Sequence, residues 1–217
     1  MIASATASDT VQDDDPEGIA GLPEAERLAR QRIRHAARRA RAKSATRKGL
    51  VIVHTGNGKG KTTAAVGLLV RAWGQGLRVC MYQFIKAHTA KFGEIKAVRQ
   101  FGIEINPTGH GFTWVSQDIV RDQEAVRAGW EASRAHILAG NYDLMVLDEF
   151  TYPLKYGWLV WDEVREVFDA RPPGMHLVVT GRYASPELLA YADTVTEMTD
   201  VKHHYRAGIK LQRGIEF

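Results

Sequence analysis

A three-layer α/β fold with a mostly parallel central sheet follows from three features of this 217-residue sequence. Short apolar runs recur without polar alternation, as strands buried on both faces require. Segments of helical composition fall between them, the alternation that builds parallel sheets. A glycine-rich turn follows the first apolar run and opens directly into a helical segment, where an open α/β sheet places its ligand-binding turn.

The elements follow in order. Residues 1–23 hold five acids (Asp9, Asp13, Asp14, Asp15, Glu17) and no base, and they are too poor in apolar side chains to offset the cost of ordering, so a disordered acidic tail is predicted. Residues 24–48 carry ten Arg or Lys against Glu24 and Glu26. Their Ala/Arg-rich composition predicts a basic N-terminal helix. Leu28, Ile33 and the alanines give it a thin apolar stripe, so it either rests on a partner surface or remains a solvated basic tail. Residues 49–217 form the main domain. Its predicted strands are Leu50–His54, Arg78–Phe84, the shorter Ile103–Asn106, Asp143–Leu147, His176–Thr180 and Thr194–Met198. Its predicted helices are Lys61–Gln75, Asp122–Ala139, Trp161–Ala170 and one that starts at Ser185, with Ser as N-cap and Pro186 at the first position.

Bulk properties narrow the function. The sequence pI near 9.2 invites a nucleic-acid reading, but residues 49–217 contain 19 bases and 18 acids. The basicity belongs to one N-terminal segment, whereas a domain that grips a phosphate backbone carries its own basic patch. No run approaches the roughly 18 apolar residues of a membrane-spanning helix, and the start lacks the basic and apolar regions of a secretory signal. Cys80 is the single cysteine, which rules out an intramolecular disulfide or a multi-cysteine zinc site; it reads as a small buried hydrophobe. A cytoplasmic protein, with neither nucleic-acid nor membrane partner, is expected.

The strongest local signal is Thr55–Thr63, TGNGKGKTT. Gly56, Gly58 and Gly60 let the backbone turn tightly, so that N–H groups from Asn57 through Thr63 can converge on one anion. Lys59 and Lys61 add charge, Lys61 reaches the terminal phosphates, and the helix N-terminus contributes its positive dipole end. The Thr62 hydroxyl is placed to ligate Mg2+, with Mn2+ as an alternative. The strict phosphate-loop pattern places glycine at position 55, where this chain has Thr55, so the loop is a variant. A second signal is DLMVLDEF, in which Asp148 and Glu149 stand at the carboxyl end of an apolar strand. Acids there hold Mg2+ directly or through water. A third strand end, HLVVTGR, brings Thr180 and Arg182 to the same sheet edge. Arg182 is either a phosphate or ribose contact or an ordinary surface arginine. Together these give a RecA-like P-loop fold that binds Mg-ATP.

A nucleotide site does not reveal the reaction. Glycine and aromatic residues cluster at Gly109–Trp114, and aromatics in a Gly-flanked loop are costly to expose unless they line a binding surface. Over nearly all of residues 49–217 the sequence resembles the P-loop ATP:corrinoid adenosyltransferases of cobalamin synthesis and corrinoid salvage. The matching segments are TGNGKGKTTAAVG (55–67), QFIK (83–86), GFTW (111–114), VLDEFTY (146–152), VTGR (179–182), ADTVTEM (192–198) and VKHHYRAG with its trailing GIEF (201–217). GFTW between QFIK and the acids is the specific part.

The resemblance implies transfer of the 5′-deoxyadenosyl group of ATP to Co(I) of a corrinoid, with release of tripolyphosphate. Residues Asn57–Thr63 would hold the triphosphate, reversed so that C5′ of the ribose is exposed. Thr62, Asp148 and Glu149 would organise Mg2+, and Phe112 and Trp114 would wall off the lower face of the corrin ring. Lys61 and Glu149 join those two aromatics as the residues that carry the chemistry. A reduced flavoprotein as electron donor, a homodimer, and a basic helix that caps an active site are further implications. The rival reading is a RecA-like P-loop NTPase or small-molecule kinase acting at the γ-phosphate. His203-His204 could suggest a metal site, but adjacent histidines on a strand point to opposite faces. Tyr152 and Tyr156 either touch the ligands or pack in the core.

Overall fold

The computed structural model describes residues 22–87, 93–109 and 119–215. They divide into an N-terminal unit up to Arg47 and a main unit from Lys48 onward.

Among its described residues the N-terminal unit has one helix, α1 (Glu24–Ser44), in which no residue is buried. Glu24 and Glu26 occupy its first turn and Arg41 and Lys43 its last, matching the helix dipole at both ends. Glu26 and Arg30 pair one turn apart at 3.1 Å, both half exposed, worth only a few tenths of a kcal/mol. Leu28 and Ile33 are exposed.

In the main unit the strands are β1 (Val51–Thr55), β2 (Val79–Ala87), β3 (Glu104–Gly109), β4 (Leu144–Asp148), β5 (His176–Thr180) and β6 (Thr194–Glu197). They form one sheet in the order β3-β2-β4-β5-β1-β6, and every pairing is parallel. The helices are α2 (Lys61–Gly74), α3 (Gly93–Gln100), α4 (Ile119–Ala139), α5 (Thr151–Lys155), α6 (Trp161–Ala170) and α7 (Pro186–Tyr191), followed by a 3-10 turn at His204–Ala207. The sequence missed α3 and the one-turn α5, both too short for a clear 3.6-residue period. Ser185 does cap α7: its side chain accepts from the Leu188 N–H at 3.3 Å.

Side-chain alternation sorts the core into two layers. Val51, Val53, Cys80, Tyr82, Phe84, Met145, Leu147, Leu177 and Val179 pack on one face with Val126, Trp130 and Ile137 of α4, Val164, Val167 and Phe168 of α6, and Leu188 of α7. Val79, Met81, Leu144, Val146 and Val178 pack on the other with Ala65, Leu69 and Ala72 of α2 and Ile95 and Val98 of α3. The predicted three-layer, RecA-like α/β fold with a parallel sheet is thus observed. Continuing the second set by two residues reaches Gln83, Asp148 and Thr180, which therefore share one face at the carboxyl edge of the sheet. Asp148 and Thr180 end β4 and β5 there, and Gln83 meets them from the middle of β2. Among the described residues no helix is long and apolar enough to cross a membrane.

Candidate active site at the carboxyl edge of the sheet

The turn from β1 to α2 is built by main-chain geometry. Gly56 and Gly60 have φ of 92° and 108°, a region that side chains other than glycine rarely adopt. Gly58 faces a different constraint: a Cβ there would lie 2.7 Å from the carbonyl oxygens of Met198 and Thr199. Its N–H donates to the Met198 carbonyl at 2.6 Å, and the Met198 N–H donates back to the Thr55 carbonyl at 2.9 Å. The segment after β6 therefore braces the loop from beneath. The Gly60 carbonyl accepts from the Ala64 N–H at 2.8 Å and starts α2. The first-turn N–H groups of Lys61, Thr62 and Thr63 precede any intrahelical partner.

Lys61 is 8% exposed. Its Nζ donates to the carbonyls of Gly56 at 2.8 Å and Gly58 at 2.7 Å, so the ammonium is held across the loop. Burial lowers its pKa from the ordinary lysine value; Glu149 and Asp148 oppose that shift, and Arg182 and Lys59 reinforce it. All four thus lie within electrostatic reach of Lys61. Arg182, the ambiguous residue of the sequence, belongs to this neighbourhood, although its side chain is exposed. Asn57, Lys59 and Thr63 are also exposed around the loop, and Thr62 is half-buried.

Asp148 is fully buried and lies at the centre of a hydrogen-bond network. Its Oδ1 accepts from the Thr62 hydroxyl at 2.8 Å and from the Thr180 hydroxyl at 2.6 Å. Its Oδ2 accepts from Gln83 Nε2 at 3.1 Å. Thr180 Oγ1 accepts in turn from the Glu149 N–H at 3.0 Å. Glu149 has φ of 58°, which turns the chain sharply after β4, and it is half-buried. The two adjacent acids consequently divide the work. Asp148 braces Thr62 from within, while Glu149 stands nearer the opening. Tyr152, one turn on, feels Glu149 and Arg182, and its pKa is pushed up to about 12, chiefly by burial.

The donors here are oxygens of one hydroxyl and two carboxylates, the set a hard divalent cation prefers. No donor among the described residues reaches the buried Gln83 Oε1. Among the described residues no three His, Cys, Asp or Glu side chains converge, so such an ion would complete its shell with phosphate oxygens and water, as Mg2+ commonly does. The residues fit Mg2+.

The structure therefore brings together the loop, Lys61, Thr62, Asp148, Glu149 and Arg182. Phe112 and Trp114 lie outside the described residues. Gln83 and Thr180 are the partners of Asp148 that the sequence did not assign. Thr180 closes an otherwise apolar strand, and Gln83 is a polar residue inside one. His203 and His204 sit at the start of the 3-10 turn rather than on a strand, with rings stacked at 4.8 Å; the expectation of opposite faces is corrected because the chain leaves the sheet at Glu197.

Residues 47–217 match the sequence profile described as ATP:corrinoid adenosyltransferase BtuR/CobO/CobP. The chain is 44% identical over 178 residues to a corrinoid adenosyltransferase of Pseudomonas aeruginosa, covering 81% of this chain and 87% of that one. It is 40% identical over 176 residues to a corrinoid adenosyltransferase of Salmonella typhimurium, covering 81% and 89%. A Sinorhizobium corrinoid adenosyltransferase is 38% identical over 197 residues, covering 85% and 92%. The phosphate loop, the paired acids and the sheet that carries them all lie within the matched stretch, and the chain belongs to the ATP:corrinoid adenosyltransferase family.

Proposed function

We propose that this chain attaches the 5′-deoxyadenosyl group of ATP to the cobalt of a reduced corrinoid, in cobalamin synthesis or salvage. The observation that carries this reading is the family match across residues 47–217, because it includes the Lys61–Thr62–Asp148 cluster and the whole of the main unit. Co(I) of the corrinoid substrate supplies the electron pair. A bond forms between cobalt and C5′, the C5′–O bond breaks, and tripolyphosphate leaves with that bonding pair. No protein nucleophile or general base is required, so the protein's part is orientation and stabilisation of the leaving group. Residues Asn57–Thr63, through their N–H groups other than that of Gly58, which is committed to Met198, and the Lys61 ammonium would hold the triphosphate. Thr62 and Glu149, with Asp148 behind them, would hold Mg2+, which when bound supplies further charge neutralisation at the phosphates. Arg182, within electrostatic reach of Lys61, would contact a phosphate or ribose oxygen.

Phe112 and Trp114 are assigned, by resemblance, to the cobalt side. A dry aromatic wall that keeps water off cobalt favours a four-coordinate Co(II), which accepts an electron more readily. A reduced flavoprotein is the proposed donor, and the cytoplasm, where both it and ATP are available, is the proposed location. Residues 49–217 serve as the catalytic domain, residues 1–23 as a tail, and the basic helix of residues 24–48 as an active-site cap in a homodimer. Trp114→Ala is expected to spare ATP binding and adenosylation of pre-formed Co(I). Starting from Co(II) with a flavoprotein donor, its rate should fall at least about tenfold, or ~1.4 kcal/mol of barrier. Equal losses in the two assays would remove the proposed aromatic role.

Incubation with ATP, Mg2+ and chemically reduced cobalamin tests the main reading. Tripolyphosphate and a light-sensitive cobalt–carbon bond are expected. ADP and phosphate with no alkylated corrinoid would instead establish an enzyme acting at the γ-phosphate. ATP turnover stimulated by DNA or RNA and indifferent to corrinoid would point to a nucleic-acid-dependent ATPase.

A further inference from the structure

Gln83 lies in the middle of β2, directly opposite Asp148, the last residue of β4, in the parallel register of the two strands. Its side chain is fully buried. Strand pairing therefore fixes both where it starts and what it meets. Nε2 donates to Asp148 Oδ2 at 3.1 Å, and the residue's own carbonyl accepts from the Thr108 hydroxyl at 3.3 Å. The amide has only one admissible orientation, because reversing it would set its oxygen against a carboxylate oxygen. Oε1 is consequently committed as an acceptor, yet no donor among the described residues reaches it. Burying an amide carbonyl without a donor is unfavourable, and such a group in a native core calls for a ligand or an ordered water. The carboxylate it flanks is the one that receives the Thr62 hydroxyl.

We infer that Gln83 is a positioning residue of the cation site: Nε2 fixes the Asp148 carboxylate, while Oε1 accepts from a water in the coordination shell of the divalent cation that accompanies ATP. The inference rests on reading Thr62, Asp148 and Glu149 as a cation site. A hydrated divalent cation suits Oε1 because Mg2+ retains several of its waters, and their O–H groups are strong donors. Such outer contacts orient the inner ligands and typically change metal affinity by about 10- to 100-fold.

The test is ATP binding to the full chain by titration calorimetry, with and without Mg2+ and without corrinoid. Gln83→Met keeps the volume and removes both polar contacts. The ratio of ATP affinity with Mg2+ to that without should fall about tenfold, while metal-free ATP affinity stays within about twofold. Thr108→Val removes a bond to the same strand without touching the amide and should leave the ratio unchanged. If Gln83→Met does not fold, Gln83→Asn replaces it, since its shorter amide cannot span both contacts, and the same loss is expected. An unaltered ratio in a folded Gln83 variant overturns the inference, as does an equal loss with and without Mg2+, the mark of a merely structural role. Wild-type binding indifferent to Mg2+ would overturn the cation-site reading itself, whereas adenosyl transfer is read separately from the alkylated corrinoid.

Discussion

Replacing Lys61 by alanine is expected to lower kcat/KM for adenosyl transfer by roughly 10²- to 10³-fold, the usual cost of removing one preorganised donor from a site of developing charge. The leaving group here is a polyanion that gains negative charge as the C5′–O bond breaks. Lys61 is 8% exposed and its ammonium is held on two loop carbonyls, at 2.8 and 2.7 Å. It is therefore a fixed charge with little water around it, and that makes it worth more than a surface lysine. The same burial sets a pH signature. Because desolvation lowers the Lys61 pKa, the free enzyme loses this charge at a lower pH than an ordinary lysine would. The profile of kcat/KM, which reports the free enzyme, should fall on the alkaline side below pH 10.5, the ordinary lysine value. Bound triphosphate stabilises the ammonium, so the fall in kcat comes at higher pH. Lys61→Arg should retain part of the activity and lose this alkaline fall, since arginine does not titrate there. An alanine variant within about threefold of wild type in steady-state assays would exclude Lys61 from the reaction.

Why the loop, the acids and the place of Thr180 at the sheet edge were readable in advance, and the bonds of Gln83 and Thr180 to Asp148 were not, is a matter of sequence distance. Gly56, Gly58, Gly60, Lys61 and Thr62 are contiguous, and each residue type answers a local demand for positive φ, close main-chain approach, charge or a hydroxyl. Asp148 and Glu149 are adjacent and terminate a recognisable apolar strand. Gln83 and Thr180 come within 3.1 and 2.6 Å of Asp148, but across 65 and 32 residues of sequence. Only the parallel register of β2, β4 and β5 brings them there. The Met198 brace was less visible still, because a main-chain carbonyl carries no residue signature. Strand existence was legible in the unbroken apolar runs, and boundaries less so. β3 runs over Glu104–Gly109, beyond the predicted Asn106, because Pro107 and Gly109 extend the pairing with β2 across a register shift, without an apolar pattern. The corrinoid half of the reaction was legible only through resemblance. Its two aromatic residues are recognised by their place between QFIK and the acids, and composition alone would have allowed them an ordinary core role.

The second large effect is expected at Asp148, and there stability and function should separate. Asp148→Ala removes the acceptor of three side chains at once and leaves Thr62, Thr180 and Gln83 facing a void in a fully buried position. Buried donors without partners cost about 1–3 kcal/mol each, so this variant should melt well below wild type, if it folds. Asp148→Asn is different. Its oxygen can still accept from both threonine hydroxyls, and its new amide N–H can be met by Gln83, whose side chain need only turn over to present Oε1. The fold should survive with a loss of about 1–2 kcal/mol, a melting shift of roughly 2–8 °C for a chain of this size. Cation binding should not survive equally well. The carboxylate charge beside Thr62 is gone, and Lys61 loses one of the two acids that oppose the lowering of its pKa. The reversed Gln83 amide also no longer offers its oxygen outward. Adenosyl transfer at fixed Mg2+ should therefore drop by about 10²-fold or more, with Mg2+-dependent ATP affinity falling alongside. Glu149→Gln is the informative contrast. Its side chain is half-buried, its main-chain N–H donates to Thr180, and the amide keeps the shape of the carboxylate, so its melting temperature should remain near wild type while activity falls. Thermal melts paired with Mg2+ titrations of all three variants decide the matter. If Asp148→Asn matches wild type in both measurements, the buried acid is structural ballast and Glu149 alone carries the cation.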